Sequence, residues 1–503
     1  MSVAEKPAIR AALTVHPDDT VGIAIDTLDR GVRPAPDMPV VTAGIPRGHK
    51  FALRAITTGE TVIKYGAPIG RARCPIQPGE HVHTHNLESL LSGEIDYAAH
   101  APAVATARSA PAVSSTFQGY RRFDGRVGTR NEIWVVATVG CVNRIAERIA
   151  RMAGNQVRGL VDGVHAITHP FGCSQLGDDL ARTRAVLAGL AQNPNAGGVL
   201  LVGLGCETNQ YRKLLDAMPD TDPLRVRAFA CQDAGDELDA GISAIAEIAD
   251  HMAAMDRRET CAAADLVIGL KCGGSDAFSG LTANPLLGRI SDRVDAAGGS
   301  TILTEVPEMF GAEHLLLARA ADRTVHGAIG AMMNRFKRYF LDHGEVVHAN
   351  PSPGNIEGGI TTLEEKSLGA VQKAGSAIVT DVRNYGQRVR TSGLTLLEAP
   401  GNDAVSTTAL ASAGANLILF TTGRGTPLGT PVPTLKLATN SDLAARKPHW
   451  IDFNAGTVAE GEDLDAAADR LWKLLLDTAS GKHARNELYD EREIALWKGG
   501  VTL

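Results

Sequence analysis

The stretch GLKCGGSDAFSGLTANP contains the residues whose types and order most directly suggest chemistry. It overlaps the end of an apolar run, ADLVIGL, which predicts a buried strand, and this strand ends in Lys271 and Cys272. Two glycines follow, and then Ser275 and Asp276. A thiol, a hydroxyl and a carboxylate placed beside glycines at a strand end are typical of a site where the backbone approaches a ligand closely.

Four turns that follow predicted strands carry a cysteine, and three of these cysteines come directly after a glycine. They are Cys141, Cys173, Cys206 and Cys272. Thiolates that converge at one sheet edge could hold iron, zinc or an iron–sulfur cluster. Alternatively, these cysteines are small apolar residues that fit tight turns. No CxxC spacing decides between the two. We interpret the remaining three as structural, namely Cys74, Cys231 and Cys261.

The segment HVHTHN places His81, His83 and His85 at a period of two. On a strand, such residues point to one face. Three imidazoles on one face could ligate a divalent metal or move protons. A polar, solvent-exposed strand face is the alternative.

Other strand ends carry acids, amides and cations. These are Glu305 and Glu308 in LTEVPEMFGAE, Asp403 in LEAPGND, Arg424 in FTTGRGTP, and Asn355, Glu364, Glu365 and Lys366 in the polar segment NPSPGNIEGGITTLEEKSLG. The glycine-rich turns lack the final Lys-Ser/Thr of a P-loop, and no GxGxxG opens a helix after the first strand. The turn CGGSDAF is not the GxSxG of a serine nucleophile.

The composition favours a globular protein without nucleic-acid partners. The chain has 503 residues, is 44% hydrophobic and carries a formal net charge of -7 without a Lys/Arg cluster. It contains no run of about 18 apolar residues that would span a membrane. The first residues show no signal-peptide core, and the seven cysteines are odd in number. We therefore expect a reduced, cytoplasmic protein.

Three kinds of elements must position these residues, and the predicted fold class is multidomain α/β. Residues 1–92 show short strands and glycine turns, which predict a small all-β domain. Residues 93–117 have the Ala/Pro/Ser-rich composition of a linker. Beyond them strands and helices alternate, which predicts mostly parallel sheets covered by helices. A polar patch, MDRRET, divides this part into domains at 118–256 and 257–503.

The chain resembles the altronate/galactarate dehydratase family over nearly its whole length. The motifs that carry the resemblance are RGHKFAL, VIKYGAPIG, HVHTHN, DGRVGTRNE, TVGCVN, FGCSQLGDD, GLGCETNQ, CGGSDAFSGLTANP, TEVPEMFGAE, NPSPGN, GGITTLEEKSLG, APGNDAV, FTTGRGTP and KLATNS. Within the family, HVHTHN and FGCSQLGDD resemble the altronate branch.

The resemblance implies a fold and an activity. It implies an N-terminal β-clip domain of the SAF type, a second domain used in dimerisation, and a C-terminal Rossmann-like variant that carries a metal site. The implied reaction is dehydration of D-altronate to 2-dehydro-3-deoxy-D-gluconate in galacturonate breakdown. The implied cofactor is Fe²⁺, with Mn²⁺ or another divalent metal as alternatives. The implied partners are a sugar-acid substrate and a second copy of the chain.

On this basis we assign roles as hypotheses. The candidate metal ligands are Cys272, Glu305, Glu308 and Asp276. The candidate substrate-binding residues are Arg424, which would bind the carboxylate, and Asn355, Ser275 and Thr426. The candidate acids and bases are Lys366, Glu364, His169 and Asp403, with His83 and His85 reaching in from the β-domain. The alternatives are structural: Glu305 and Glu308 could cap helices, and Arg424 could pair with Asp403.

Dehydration removes the C2 proton and the C3 hydroxyl and needs no redox cofactor, so we expect no NAD. Three rival hypotheses stay open. The substrate could be galactarate, or a sulfo-acid such as sulfolactate that loses sulfite. The cofactor could be an iron–sulfur cluster. The chain could also bind sugar acids without turning them over.

Overall fold

The structure of the chain is a computed structural model that describes residues 11–97, 115–219 and 221–500. Most of the predicted linker lies outside these ranges. Three regions follow one another along the chain: an all-β region, an α/β region with a four-stranded parallel sheet, and an α/β region with a seven-stranded parallel sheet. In the described part of the chain, no helix combines the length and the apolar character needed to cross a membrane.

The N-terminal region contains two small antiparallel sheets, in the orders β1-β2-β3-β6 and β4-β5-β7. The strands are β1 (Ala12–Leu13), β2 (Val21–Ala24), β3 (Lys50–Ala52), β4 (Thr61–Lys64), β5 (Ala67–Ala72), β6 (His81–Val82) and β7 (Leu87–Glu88). Alternation in β4 buries Val62 and Lys64 on one face. The predicted all-β region is thus observed, and its buried lysine faces another part of the molecule.

The predicted strand through all three histidines of HVHTHN is wrong, because β6 ends at Val82. The chain turns immediately afterwards. The buried side chain of Asn86 accepts a hydrogen bond from the backbone N–H of His83 and donates one to the carbonyl of His81, both at 2.9 Å. This asparagine closes the turn and competes with strand continuation.

The second region has a parallel sheet in the order β11-β10-β12-β13. Its elements are β8 (Thr116–Arg121), β9 (Val127–Gly128), β10 (Glu132–Ala137), α1 (Asn143–Gln156), β11 (Gly163–Ile167), α2 (Asp178–Ala191), β12 (Ala196–Gly203), α3 (Tyr211–Asp216), β13 (Val226–Ala230), α4 (Glu237–Met255) and β14 (Glu259–Ala262). The central strand β10 is buried throughout, as its continuous apolar run predicts. β14 pairs back with β8, so the polar patch at MDRRET joins the two α/β regions by an antiparallel ladder.

The third region is built on a parallel sheet in the order β17-β18-β16-β15-β19-β20-β21. Its elements are β15 (Val267–Cys272), α5 (Ala283–Ala296), β16 (Ser300–Leu303), α6 (Glu313–Leu317), α7 (Arg323–Asp342), α8 (Pro353–Glu357), α9 (Leu363–Ala370), β17 (Val379–Arg383), β18 (Gly393–Leu397), α10 (Asp403–Ser412), β19 (Leu417–Thr422), β20 (Thr434–Ala438), α11 (Ser441–Arg446), β21 (Phe453–Asn454), α12 (Leu464–Ala479) and α13 (Arg485–Leu488). All seven strands predicted after Thr260 are observed. The strand order reverses at β15, which lies between β16 and β19, and ligands bind open sheets at such a point.

A buried carboxylate joins the N-terminal region to the C-terminal region. Glu365 in α9 accepts from Lys50 Nζ at 2.9 Å and from Lys64 Nζ at 2.7 Å, and each of these side chains is at most 2% exposed. Burial alone would raise the pKa of Glu365, but the two lysines hold it well below its usual range. Lys50 also donates to the carbonyl of Gly359 at 2.7 Å.

We predict that Glu365→Gln destabilises the protein by about 3–5 kcal/mol, because it leaves two buried ammonium groups without a counter-charge. Urea denaturation measures the change. The control is Glu88→Gln, which breaks an ion pair with Arg71. The Glu88 side chain is 31% exposed, so we expect this change to cost less than about 1 kcal/mol. Equal stability of the two variants would contradict the interdomain role of Glu365.

Candidate active site

Cys272 ends β15 and begins the turn around which the site is built. Its Sγ lies 2.6 Å from Ser275 Oγ. The carbonyl of Ser275 accepts from Asn355 Nδ2 at 2.8 Å. Gly274 has φ of 60°, a conformation that favours glycine, and its carbonyl accepts from the backbone N–H of Arg424 at 3.1 Å. The turn therefore connects the ends of β15 and β19 and the helix α8.

Two further glycines make room for carboxylates. A Cβ on Gly273 would lie 2.6 Å from Asp403 Oδ2 and 2.7 Å from the ring of Phe420. A Cβ on Gly423 would lie 2.2 Å from the carboxyl carbon of Asp276. Neither contact is sterically possible. These glycines are therefore required where acidic side chains approach the strand ends.

Asp276 has a structural role that differs from the predicted metal ligation. Its buried carboxylate accepts from Ser279 Oγ and Thr439 Oγ1 at 3.0 Å, and from Asn440 Nδ2 at 3.2 Å. Burial raises the pKa of Asp276 despite these donors. The carboxylate ties the turn after β15 to the loop after β20, and both of its oxygens are occupied.

Both carboxylate oxygens of Glu305 also have partners. The residue lies at the end of β16, in left-handed backbone with φ of 70°, and is fully buried. Lys271 and Lys373 both pair with its carboxylate, Lys373 at 3.0 Å. Burial would raise the pKa of Glu305, but the two lysines lower it. The strained backbone is a feature of functional sites, yet two ammonium groups next to this carboxylate oppose metal binding.

Glu308 and Lys366 form the pair that retains an unused acceptor. Lys366 Nζ lies 2.9 Å from Glu308 Oε1, and it also donates to Asn350 Oδ1 at 3.0 Å and to Asn355 Oδ1 at 3.2 Å. Glu308 Oε2 is buried without a hydrogen-bond partner in the described structure. Although burial lowers it, the Glu308 carboxylate raises the pKa of Lys366, so the amine is protonated. An unpaired acceptor beside a protonated amine suits acid–base work.

Arg424 and Asp403 lie at the edge of this cluster. Arg424 is exposed, and its guanidinium lies 3.0 Å from Glu357 Oε2. Asp403 pairs instead with Lys271, at 2.8 Å. The alternative in which Arg424 pairs with Asp403 is thus wrong. Thr426, two residues from Arg424, is half-buried and accepts from the backbone N–H of Leu428 at 3.2 Å.

Three histidines of the N-terminal region form a cluster, and one of them, His49, contacts α8. The three are His49, His81 and His83. The ring nitrogen His49 Nε2 contacts the carbonyl of Glu357 at 3.1 Å. Burial is the main cause that lowers the pKa of His81 to about 4 and of His83 to about 3. The three imidazoles are therefore neutral near pH 7.

Three predicted acid–base residues have other roles in the structure. Glu364 accepts from Ser89 Oγ at 2.9 Å and from the backbone N–H of Leu90, so it anchors the end of the N-terminal region. His169 lies at the other parallel sheet. Its Nε2 donates to the carbonyl of Ala137 at 2.9 Å, and its Nδ1 accepts from a backbone N–H. The His85 ring lies 5.5 Å from that of His81, tilted by 40°, and is exposed.

The four strand-end cysteines do not gather at one place. Cys272 is buried in the seven-stranded sheet, whereas the other three follow elements of the four-stranded region and are exposed: Cys141, Cys173 and Cys206. The four cysteines considered together from the sequence are thus divided between the two parallel sheets. Cys261 is buried as expected, while Cys74 is exposed and Cys231 half-buried.

Two larger cavities lie elsewhere. One, of about 160 Å³, is lined mainly by residues of the four-stranded region, and two of its arginines, Arg122 and Arg225, pair with Asp256. The other, of about 860 Å³, is a wide surface groove beside α1. Neither contains a predicted site residue. A smaller cavity is lined by Cys272, Ser275 and Lys366, and we place the chemistry there because titratable groups converge at it.

The predicted metal ligands do not form a cation site in this structure. Glu305 is neutralised by two lysines, both oxygens of Asp276 hold hydrogen bonds, and Glu308 pairs with Lys366. In the described ranges, the one group of three or more potential ligands within 4.8 Å of one another is the trio of histidines. His49, Lys271 and Lys373 were missed from the sequence. The signal for Lys271 was a charge inside an otherwise apolar strand.

Comparison with known proteins gives the same family along the whole chain. The family model "Altronate/galactarate dehydratase SAF domain" matches residues 10–90. "D-galactarate dehydratase/Altronate hydrolase, second domain" matches residues 119–254, and "D-galactarate/Altronate dehydratase, C-terminal" matches residues 263–502.

Three curated relatives cover nearly all of the chain. The altronate dehydratase of Escherichia coli (strain K12) is 48% identical over 98% of this chain and 99% of its own length. That of Bacillus subtilis (strain 168) is 47% identical over 98% of this chain and 100% of its own length. The galactarate dehydratase (L-threo-forming) of Escherichia coli (strain K12) is 35% identical over 93% of each chain.

We predict that the thiols of the native protein react with a maleimide at different rates. Peptide mass spectrometry after labelling measures the rate at each cysteine. Cys173 reacts first, because hydrogen bonds from the backbone and side chain of Thr208 lower the pKa of its exposed thiol. Cys272 and Cys261 are buried and become labelled only after denaturation. Rapid labelling of Cys272 in the native protein would contradict its placement in the closed turn.

Proposed function

The chain belongs to the altronate/galactarate dehydratase family and is a hydro-lyase, and we propose that it converts D-altronate into 2-dehydro-3-deoxy-D-gluconate and water. The observation that carries the proposal is the similarity to two altronate dehydratases at 47–48% identity along 98% of the chain. The galactarate enzyme is more distant at 35%. The substrate, product and mechanism are parts of the proposal.

We propose that Glu308 Oε2 accepts the proton from C2 of the substrate. Among the described residues this oxygen has no hydrogen-bond partner, and it lies in a buried position beside a protonated amine. We propose Lys366 as the acid that protonates the departing C3 hydroxyl, because the adjacent Glu308 carboxylate raises the pKa of its amine and so keeps it protonated. Breaking the C3–O bond releases water and leaves an enol, whose hydroxyl proton moves to C3 to give the 2-keto acid.

The contact between the two residues would restore the site after each turnover. After the reaction Glu308 carries the C2 proton, and Lys366 has lost one. Their side chains are 2.9 Å apart, so one proton transfer returns both to their starting states. Arg424 would hold the substrate carboxylate. Its exposed pairing with Glu357 is weak and can be exchanged for a bidentate contact.

Asn355 is a positioning residue in this proposal. It donates to the carbonyl of Ser275 and accepts from Lys366. It therefore keeps the amine next to the turn after β15. Asp403 pairs with Lys271 and has no assigned step in this proposal.

Three further features also stay proposals: a Rossmann-like fold of the C-terminal region, dimerisation through the second region, and a cytoplasmic location. The parallel seven-stranded sheet supports the first. No step above uses the implied Fe²⁺, because three of the four residues predicted to hold it, Glu305, Glu308 and Asp276, are engaged by lysines or hydrogen-bond donors.

The substrate prediction is tested with reduced, anaerobically purified protein supplied with ferrous iron. We expect D-altronate to give the 2-keto-3-deoxy acid, detected by its reaction with thiobarbituric acid. Galactarate and sulfolactate are the comparison substrates. Turnover of one of these in place of altronate would overturn the substrate while keeping the enzyme class.

The acid–base prediction uses Glu308→Gln. We expect kcat to fall by about 10²–10⁴-fold with a smaller change in KM, because the amide keeps the shape but cannot take a proton. The matched control is Glu364→Gln, which weakens the anchor to Ser89 and should lower stability more than kcat. An unchanged kcat in Glu308→Gln would remove Glu308 as the base.

The close approach at Gly273 gives a further prediction. Gly273→Ala would place a methyl group against Asp403 and Phe420, and we expect kcat/KM to fall at least about tenfold because the turn must shift. The control is Gly327→Ala, where a Cβ meets nothing within 4 Å. Full activity of Gly273→Ala would show that the position of Asp403 does not matter.

A further inference from the structure

The N-terminal region contains a compact cluster of imidazoles outside the acid–base site. His49, His81 and His83 each offer a ring nitrogen, and these three atoms lie within 4.8 Å of one another. His49 precedes β3, whereas His81 and His83 come from β6 and the turn after it. Three separate points of the backbone thus direct nitrogen atoms to one spot.

The hydrogen bonds around His49 leave the inner nitrogen free to act as a ligand. Nε2 of His49 donates to the carbonyl of Glu357 at 3.1 Å, so Nδ1 carries the lone pair. Nδ1 faces His81 Nε2 at 3.0 Å. Metal-binding histidines commonly donate their outer N–H to a backbone carbonyl, which fixes the tautomer. A pair of nitrogens on one tetrahedral ion is separated by roughly 3.3 Å.

His83 supplies a second, independent observation. Its Nδ1 is buried and has no hydrogen-bond partner among the described residues. A buried polar atom without a partner is uncommon and calls for an explanation, such as an ion. The atom lies in the same cluster as His49 and His81, which it contacts through its ring at centroid distances of 4.8 and 5.3 Å.

The backbone around the cluster is held firmly. Asn86 fixes both His81 and His83 through their main-chain atoms. The ion pair of Lys50 with Glu365 fixes the start of β3 next to His49. A ligand set whose supports are buried and hydrogen-bonded is arranged before the ion arrives.

We propose that His49, His81 and His83 bind one divalent transition-metal ion. Imidazole favours Zn²⁺, Fe²⁺, Co²⁺ and Ni²⁺, whereas Mg²⁺ and Ca²⁺ require oxygen ligands. Three protein ligands leave at least one position open for water or substrate oxygen.

The position of the cluster relates it to the acid–base site. Glu357, whose carbonyl holds His49, pairs through its side chain with Arg424. The same short helix, α8, carries Asn355, which contacts Lys366. The cluster therefore adjoins the helix that contacts both Arg424 and Lys366. This connection with turnover rests on the proposed function, whereas the binding of the ion rests on the histidine geometry alone.

The competing explanation is a chain of hydrogen bonds in which His81 donates to His49 and no ion binds. The experiment uses the full chain without a histidine tag, stripped by a chelator and titrated anaerobically with Co²⁺. We expect one equivalent of Co²⁺ to bind and to give the visible absorption of a nitrogen-ligated ion. Excess Mg²⁺ or Ca²⁺ should not displace it.

The variants are His81→Gln and His83→Gln, with His85→Gln as the matched control because His85 is an exposed neighbour. We expect at least about 10–100-fold weaker Co²⁺ binding in the first two and unchanged binding in the control. Circular dichroism confirms that each variant is folded. Metal content is read by mass spectrometry, without reference to activity, so failed binding and failed turnover of altronate remain distinguishable.

Three outcomes would overturn the proposal. The stripped wild-type protein could fail to bind Co²⁺. Binding could survive in the double variant His81→Gln/His83→Gln but be lost in Cys272→Ser or Glu308→Gln, which would return the ion to the C-terminal sheet. Native protein could contain iron with an equal amount of acid-labile sulfide that persists in the double variant.

Discussion

A buried carboxylate between two lysines is the interaction on which the rest of the structure depends. Glu365 receives Lys50 and Lys64 from two strands of the N-terminal region. All three charged side chains are buried, so both ammonium groups depend on the single carboxylate and the carboxylate depends on them. The small β-region is therefore not a loosely attached module. Its position on α9 brings His49 against α8 and closes the cavity beside Lys366.

The same device recurs at Glu305, between Lys271 and Lys373. Carboxylates and ammonium groups that are paired in this way do not take part in binding or proton transfer. Once these pairs are formed, four kinds of group near the cavity remain to contact a ligand among the described residues. They are Glu308 Oε2, the protonated amine of Lys366, the exposed guanidinium of Arg424, and three neutral imidazoles. Because most of the buried charges are paired, the remaining groups differ in their charge and in whether they donate or accept protons.

The sequence predicted the architecture well because apolar runs and glycine turns are local signals. All seven strands of the large sheet were predicted, and so was the all-β N-terminal region. The role of CGGSDAF was predicted only in part. Glycines at the strand end do allow close approach, but what approaches Gly273 and Gly423 is the protein's own Asp403 and Asp276. Asp276 therefore holds loops together.

The remainder could not be predicted because long-range pairing decides it. Glu305 has the residue type of a metal ligand, and only its contact with Lys373, 68 positions away, removes it from that role. His49 joins His81 across 32 residues through strand pairing. The strand period suggested His85 as the third imidazole. The turn closed by Asn86 ends the strand at Val82, and His49 takes the third place instead. Charged residues in apolar strands, such as Lys64 and Lys271, were the available sign that buried partners exist.

The central claim is that the active site lies where the N-terminal and C-terminal regions meet, beside Lys366. The most direct test is a crystal structure of the Glu308→Gln variant soaked with D-altronate. We expect the sugar acid to lie between Lys366 and the histidine cluster, with its carboxylate on Arg424. Density for the ligand beside His169 and the cysteines of the four-stranded region, with the Lys366 cavity unchanged, would contradict it.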